Sequence, residues 1–306
     1  MYGKTVLFNN IHFTGSVMLG IVLALLSAMS FGLSQIFIRK NLEKSNSINI
    51  SLTVTIMGNL LLWPVALYFT DLTSVNIEGL VLFIVAGFLA PGIARLFYFK
   101  GMETSGISTN ASIFSTYPLY TSIIAVLFLG ETFTIENWTG LACIIIGVML
   151  VGRYINNNHT TNKIKKELIF PVLGSLAIAF SQIVRKEGLN IYNQPLLGVA
   201  VGYTTALIVY FAMLAPASNR SSVIKFSRKD IQLFWKPGTG IALGWLLSFL
   251  ALSQEMVSIV APLLQTELLF IIFFAYLFLR KLEKISLKLV SSAILIIVGV
   301  LMISLN

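Results

Sequence analysis

Residues 117–152, YPLYTSIIAVLFLGETFTIENWTGLACIIIGVMLVG, consist of two long apolar runs joined by the short polar link GETFTIEN. A helix needs roughly 17 to 25 residues to cross a bilayer, so this stretch reads as one crossing, a tight turn, and a crossing back. The same grammar continues in both directions. Ten runs, each with at most two charges, lie near 16–38, 48–69, 79–100, 106–129, 137–152, 168–185, 193–215, 237–254, 257–279 and 287–304. The fold class expected is an all-α membrane protein with ten transmembrane helices.

Composition agrees. The 306 residues are 57% hydrophobic and 11% charged, with mean hydropathy +0.88, well above the roughly 45–50% apolar content of a soluble domain. The longest connections, near 153–167 and 216–236, are too short to fold alone. The first run is span-length and leads into IRKNLEK without a small-residue cleavage site, so it is expected to stay in the protein as a helix. Cys143 is the only cysteine and falls inside an apolar run, which excludes disulfides and cysteine metal sites. The two histidines, His12 and His159, lie in polar segments, and HExxH, GxSxG and glycine-rich phosphate loops are absent. Neither an enzyme, a cofactor nor a metal is expected.

The chain repeats itself at an offset of 152 residues. Gly92, Phe97, Glu103, Ile107, Leu127, Glu131, Ile144, Ile145, Gly147 and Val148 recur as Gly244, Phe249, Glu255, Ile259, Leu279, Glu283, Ile296, Ile297, Gly299 and Val300. LSQI at 33–36 is echoed by FSQI at 180–183, which extends the likeness to the first span of each half. The expected organisation is an N-terminal tail (1–15), a first five-helix repeat (16–152), a basic linker (153–167) and a second five-helix repeat (168–306). An odd number of spans per half forces the second copy to enter the membrane upside down, an inverted five-plus-five repeat. Loops after odd-numbered spans carry 17 Lys or Arg, against three (Lys4, Arg185, Lys186) in the even loops and tails. The positive-inside rule then places both termini on the non-cytoplasmic side of the cell membrane. The net charge of +9 is an orientation signal and an attraction to anionic lipid heads, and requires no nucleic acid. SSVIKFSRKDIQLFWK, 221–236, reads either as a surface-lying amphipathic segment or as a solvated loop.

The opening stretch also resembles the half-repeat ending of the EamA branch of the drug/metabolite transporter superfamily, with a proline in span four, a Gly-Glu pair after it and a glycine-containing fifth span: Pro118, Gly130, Glu131, Gly140 and Gly147. The second half keeps Glu283 and Gly299 but has Phe270 and Leu282 in place of the proline and the paired glycine. The resemblance implies ten helices around a central cavity lined by spans three, four, eight and nine. It also implies export or exchange of small polar metabolites such as amino acids. It further implies both termini in the cytoplasm, where the charge count points the other way.

Glu267 is the strongest candidate. It is the only charge between Met256 and Leu279 and lies about 15 Å from either end of that run. An intramembrane acid is tolerated chiefly where it faces a bundle interior or a wet cavity. Burial disfavours its charged form, which makes it a candidate proton carrier as well as a substrate ligand. The offset places Ser115 opposite it. Ser108, Ser112, Ser115 and Ser122 share a helix face that serves either tight packing or a wet pathway. Arg95 either snorkels to the interface near Lys100 or faces the cavity with Tyr98 and holds a carboxylate or phosphate in its donor fork. Pro91 and Gly92 before it are a site for a bend. Gln35 and Gln182, repeat-related, are secondary substrate candidates or interhelical glue, and Trp245 is a cavity wall or a packed core residue. Glu131 reads as a first-turn acid for helix five. The expected partners are a small-molecule substrate, protons and membrane lipids, with the chain as monomer or homodimer. Two alternatives stand beside the metabolite carrier: an exporter of drugs or cationic compounds on the same fold, and a lipid-binding or scaffolding membrane protein.

Overall fold

The structure, a computed structural model, describes residues 14–41, 47–105, 110, 113–155, 168–214, 228–278 and 287–305. These form helices and no strand. The helices are α1 (Thr14–Asn41), α2 (Ser47–Phe69), α3 (Ile77–Gly87), α4 (Ala94–Ser105), α5 (Tyr117–Ile124), α6 (Ile135–Ile155), α7 (Ile169–Ile191), α8 (Pro195–Leu214), α9 (Arg228–Gln254), α10 (Val257–Leu264), α11 (Glu267–Phe278) and α12 (Leu287–Ser304). Wider π-type turns, Phe88–Ile93 and Ala125–Leu129, join α3 to α4 and extend α5. Five segments are long and apolar enough to cross a membrane: Met18–Ile38, Asn49–Phe69, Ile77–Tyr98, Ile169–Ile191 and Pro195–Met213. Shorter apolar helices occupy Tyr117–Leu129, Ile135–Leu150, Val257–Ile271 and Ser291–Ser304.

The sharpest helix irregularity falls where the sequence withholds a backbone donor. In the third run Ala90 leaves helical geometry (φ −148°, ψ 127°) just before Pro91, so the predicted bend is realised there. The freed carbonyls find side-chain donors: Ser181 Oγ donates to Ala86 O (2.8 Å) and Ala90 O (3.3 Å), and the Tyr210 hydroxyl donates to Pro91 O (2.7 Å). In lipid no water can do this, so the neighbouring helices must. The ninth run breaks at Gln265–Thr266 between α10 and α11, and Ser115–Thr116 makes the same turn before α5. In both, the threonine hydroxyl bonds back three residues, Thr266 to Leu263 O (2.7 Å) and Thr116 to Ile113 O (2.6 Å). Gly130 ends the π-type turn with φ +67°, the left-handed conformation for which a glycine carries no Cβ penalty.

Helices meet along small residues, as expected where lipid supplies no hydrophobic drive between them. Ser27 and Ser30 of α1 donate to Gly244 O (2.6 Å) and Gly240 O (2.8 Å) of α9. The backbones of α6 and α12 touch: a Cβ on Gly140 would lie 2.8 Å from Gly299 O, and one on Gly147 would lie 3.0 Å from Ser292 O. A polar seam joins α2 to α8, with Trp63 Nε1 donating to Thr204 Oγ1 (2.8 Å) and Thr204 donating to Asn59 Oδ1 (2.8 Å).

The main contacts between the two halves recur when the halves are exchanged. The first span of each half packs on the third of the other, α1 against α9 and α7 against α3 and α4; α2 packs on α8, α5 on α10, and α6 on α12.

Two sequence boundaries are corrected. The sixth run does not end at 185: α7 continues to Ile191, so Arg185 and Lys186 are helix residues and not loop charges. Within 221–236, residues from Arg228 onward are the first turns of α9, with Phe234 fully buried and Trp235 exposed, so this part is neither a loop nor a separate surface helix. Residues 221–227 lie outside the described residues.

Candidate functional site

Gly32 of α1 lies against the first turn of α11, where an added Cβ would be 2.8 Å from Phe270 Cβ and 3.0 Å from Glu267 O. Gln35, three residues on and therefore on the same face, is brought within hydrogen-bonding range of the Glu267 carboxyl. Glu267 itself opens α11 immediately after the break. A carboxylate in a helix's first turn is favoured by the macrodipole. Tyr98 of α4 and Tyr117 of α5 both lie close enough to Glu267 to interact electrostatically with it. Tyr98 is also packed edge-on to Phe114, centroids 4.8 Å apart.

The helix breaks correct the repeat register. The turn at 115–116 matches the turn at 265–266, so the structural counterpart of Glu267 is Tyr117 and not Ser115. Gln35 stands beside Glu267, and its repeat-mate Gln182 stands beside Tyr117. Ser115 is buried, and its carbonyl accepts from Gln265 Nε2 (3.1 Å). Ser122, one turn into the helix, donates to Ser258 O (3.4 Å). The described part of the serine stripe is therefore a contact between α5 and the second half. Ser108 and Ser112 lie outside the described residues.

Arg95 does not snorkel. Its Nη1 donates to Thr55 Oγ1 of α2 (3.1 Å), and the Tyr203 and Tyr210 hydroxyls of α8 lie beside the guanidinium. The Tyr203 hydroxyl is buried without a well-formed hydrogen bond. Arg95 and Tyr98 thus share a helix but serve different neighbours, and Arg95 is not paired with Glu267.

The residue that the sequence reading missed is Arg185. It is fully buried on α7, with Nη1 donating to Gln182 Oε1 (2.7 Å) and Nη2 to Ser181 Oγ (3.1 Å). Its guanidinium carbon sits 4.5 Å from the Trp245 ring centre and 4.6 Å from that of Phe249, an aromatic clamp of two rings. Trp245 in turn packs edge-on to Phe31 (5.9 Å, 76°). Tyr117 and Tyr203 both lie within electrostatic range of Arg185. A series of polar groups, each within electrostatic range of the next, therefore makes a path from Gln35 and Glu267 through Tyr117, Gln182 and Arg185 to Tyr203 and Arg95. Its members come from both halves.

One end of the bundle is tied by charged groups. Glu131, in the link before α6, accepts from Val257 N (2.9 Å) and Ser258 N (2.9 Å) at the start of α10. It caps span nine and not helix five, contrary to the local reading. Lys186 Nζ donates to Leu252 O and Glu255 O (both 2.8 Å) at the end of α9. The Glu255 carboxyl, in the connection to α10, is pushed above the ordinary carboxylate range by burial, against the opposing pull of the Met256 N–H and Lys186.

Buried ionisable groups at interrupted helices, contributed by both halves of a pseudo-symmetric bundle, define the class of membrane carriers. The chain belongs to the EamA-like transporter family, whose pattern matches residues 18–153 and again 165–305. It is 20% identical over 288 residues to an uncharacterized transporter of Archaeoglobus fulgidus, covering 94% of this chain and 98% of that one. It is 22% identical over 260 residues to one of Helicobacter pylori, covering 83% and 84%. A solved crystal structure shares the fold with a TM-score of 0.74 at 11% identity, covering 94% of each chain. The protein is a multi-pass membrane transporter, and that membership points to transport and not catalysis.

Proposed function

We propose that this transporter is a secondary active carrier that exports or exchanges small polar metabolites, amino acids or related compounds, by alternating access around a midplane site. The reading takes ten crossings arranged as an inverted five-plus-five repeat. It is supported by the α6–α12 crossing, in which Gly140 with Gly299 and Gly147 with Ser292 are the same contact seen from each half. The observation that carries the function is the polar path itself. Glu267, Arg185 and Arg95 are ionisable groups inside the bundle, and such groups are costly in a membrane protein unless a cavity, pathway or ligand uses them. No nucleotide-binding motif is present in the sequence to drive transport, so a gradient or exchange supplies the energy.

In this mechanism Glu267 carries either a proton or the cationic group of the substrate, and competition between them couples the two fluxes. The aromatic groups near Glu267 also suit an organic cation, the drug-exporter reading, but two arginines on the same path oppose a bare cation by like-charge repulsion. Counterflow in proteoliposomes, with a panel of amino acids, hydroxy acids and amines, tests the reading. Glu267→Gln preserves shape and removes the titration, so it is expected to abolish pH-driven concentrative uptake while downhill exchange persists. Full proton-coupled transport in Glu267→Gln would remove its carrier role, and absence of any flux in the unsubstituted protein would overturn the proposed function.

A further inference from the structure

We propose that Arg185 is the anion anchor of the transported substrate and that this substrate carries a carboxylate. The inference rests on the carrier reading above and deepens it. Arg185 has no exposed surface. Its hydrogen-bond partners among the described residues are the neutral side chains of Gln182 and Ser181, and no described carboxylate pairs with it. Its Nε–H is buried without a partner. A guanidinium presents five donors, of which two are engaged, so the group keeps unspent donors in a planar fork that matches a carboxylate bidentately.

The surroundings are organised around this cation. Trp245 and Phe249 lie within 4.6 Å of the guanidinium carbon and hold it in place, while Gln182 and Ser181, three and four residues back on the same helix, hold the Nη edge. Unpaired buried cations are strongly unfavourable. A clamp that fixes one and leaves its Nε edge without a protein acceptor is explained by a ligand that arrives and leaves. Tyr117, whose hydroxyl donates to Ala261 O (3.4 Å), lies within electrostatic range of both Arg185 and Glu267. A zwitterion then fits with its carboxylate on Arg185 and its ammonium towards Glu267, and Arg95, engaged by Thr55, stands one step further along the path.

The test uses the full-length protein in proteoliposomes, with a defined mixture of the twenty L-amino acids, their methyl esters, their decarboxylated amines and lactate, and mass-spectrometric readout of counterflow. The expected result is that the unsubstituted protein transports one or more of the free acids and rejects the matching ester and amine. Arg185→Gln should reduce kcat/KM for that acid by about 30-fold or more, the consequence of breaking a buried charge-assisted pair, and should lose the preference for acid over ester. Arg185→Lys, which keeps the charge without the fork, should recover part of the rate. Transport of esters and amines as well as acids by the unsubstituted protein would overturn the anchor while leaving the carrier intact, as would undiminished acid selectivity in a folded Arg185→Gln. If Arg185→Gln does not fold, the acid-against-ester comparison in the unsubstituted protein decides alone. No flux of any compound would overturn the carrier reading, and this inference with it.

Discussion

Glu131→Gln isolates the tie between the two halves. The Glu131 carboxylate accepts two backbone N–H groups, each at 2.9 Å, from the first turn of α10. Hydrogen bonds to a charged acceptor contribute about 1.5–3 kcal/mol each, and a neutral one about 1 kcal/mol. Glutamine offers one carbonyl oxygen where the carboxylate offered two ionised ones, and its amide group faces a second N–H. Two charged bonds therefore become one neutral bond. Glu131 is half-buried, so water recovers part of the loss, and the net effect on the tied conformation is about 2 kcal/mol, or about 30-fold in its equilibrium with an untied one. Ser258, fully buried behind this tie, reports opening directly. In a Cys143→Ser background, a Ser258→Cys protein is labelled with a water-soluble maleimide, with and without Glu131→Gln. The expected outcome is a labelling rate about 30-fold higher in the double variant. Glu136→Gln is the control, because Glu136 is exposed at the start of α6. A change below about threefold for Glu131→Gln, or an equal change for the control, would refute the argument that this carboxylate holds that end of the bundle.

Gly299→Ala forces a methyl group into the Gly140 carbonyl at the α6–α12 crossing. Overpacking of this kind costs about 1–3 kcal/mol, so thermal unfolding in detergent should occur several degrees lower, and an unchanged midpoint would mean that the two backbones are not in contact. A reporter active only in the cytoplasm, fused after Asn306, should be silent if the Lys and Arg bias sets orientation. Reporter activity would instead place both termini in the cytoplasm and leave the repeat untouched.

What could be read from the chain alone was whatever is local or periodic. Span positions, the duplication and Glu267 all follow from long apolar runs in which a single acid stands out, and the bend before Arg95 follows from Pro91. Arg185 escaped because it lies at the edge of an apolar run, where a charge looks like a boundary; the aromatic rings that cover it, Trp245 and Phe249, are some sixty residues away in sequence. Glu131 was misassigned for the same reason. Its neighbours in sequence start helix α6, whereas the N–H groups it satisfies belong to α10. The ungapped offset of 152 aligned the helix ends but missed a two-residue slip at the breaks, where the threonine back-bonds at Thr116 and Thr266 set the register. The local hydrogen bonding at the breaks, and not residue similarity, decides which positions are equivalent.

That register gives the site its polarity. In a perfectly symmetric carrier the two helix starts after the breaks, α5 and α11, would present the same group to the centre. Here α11 opens with Glu267, so its positive dipole end is met by the protein's own carboxylate. Its counterpart α5 opens with Tyr117 and Pro118, contains no acid in its first turn and has no side-chain cap at Thr116. Half-helix N-termini in carriers favour anionic substrate groups, and only the α5 end is left without a carboxylate of its own. Tyr117 links that end to Arg185. Divergence of the two halves has therefore made one pole of the path acidic and the other basic, with Gln35 serving the first and Gln182 the second. On the carrier reading proposed above, a compound with both an amino and a carboxylate group is the small molecule that would satisfy both ends. Moving the acid from one pole to the other, with Glu267→Gln together with Tyr117→Glu, would set a carboxylate near Arg185 and abolish uptake of free acids in the counterflow assay while keeping the number of charged side chains constant.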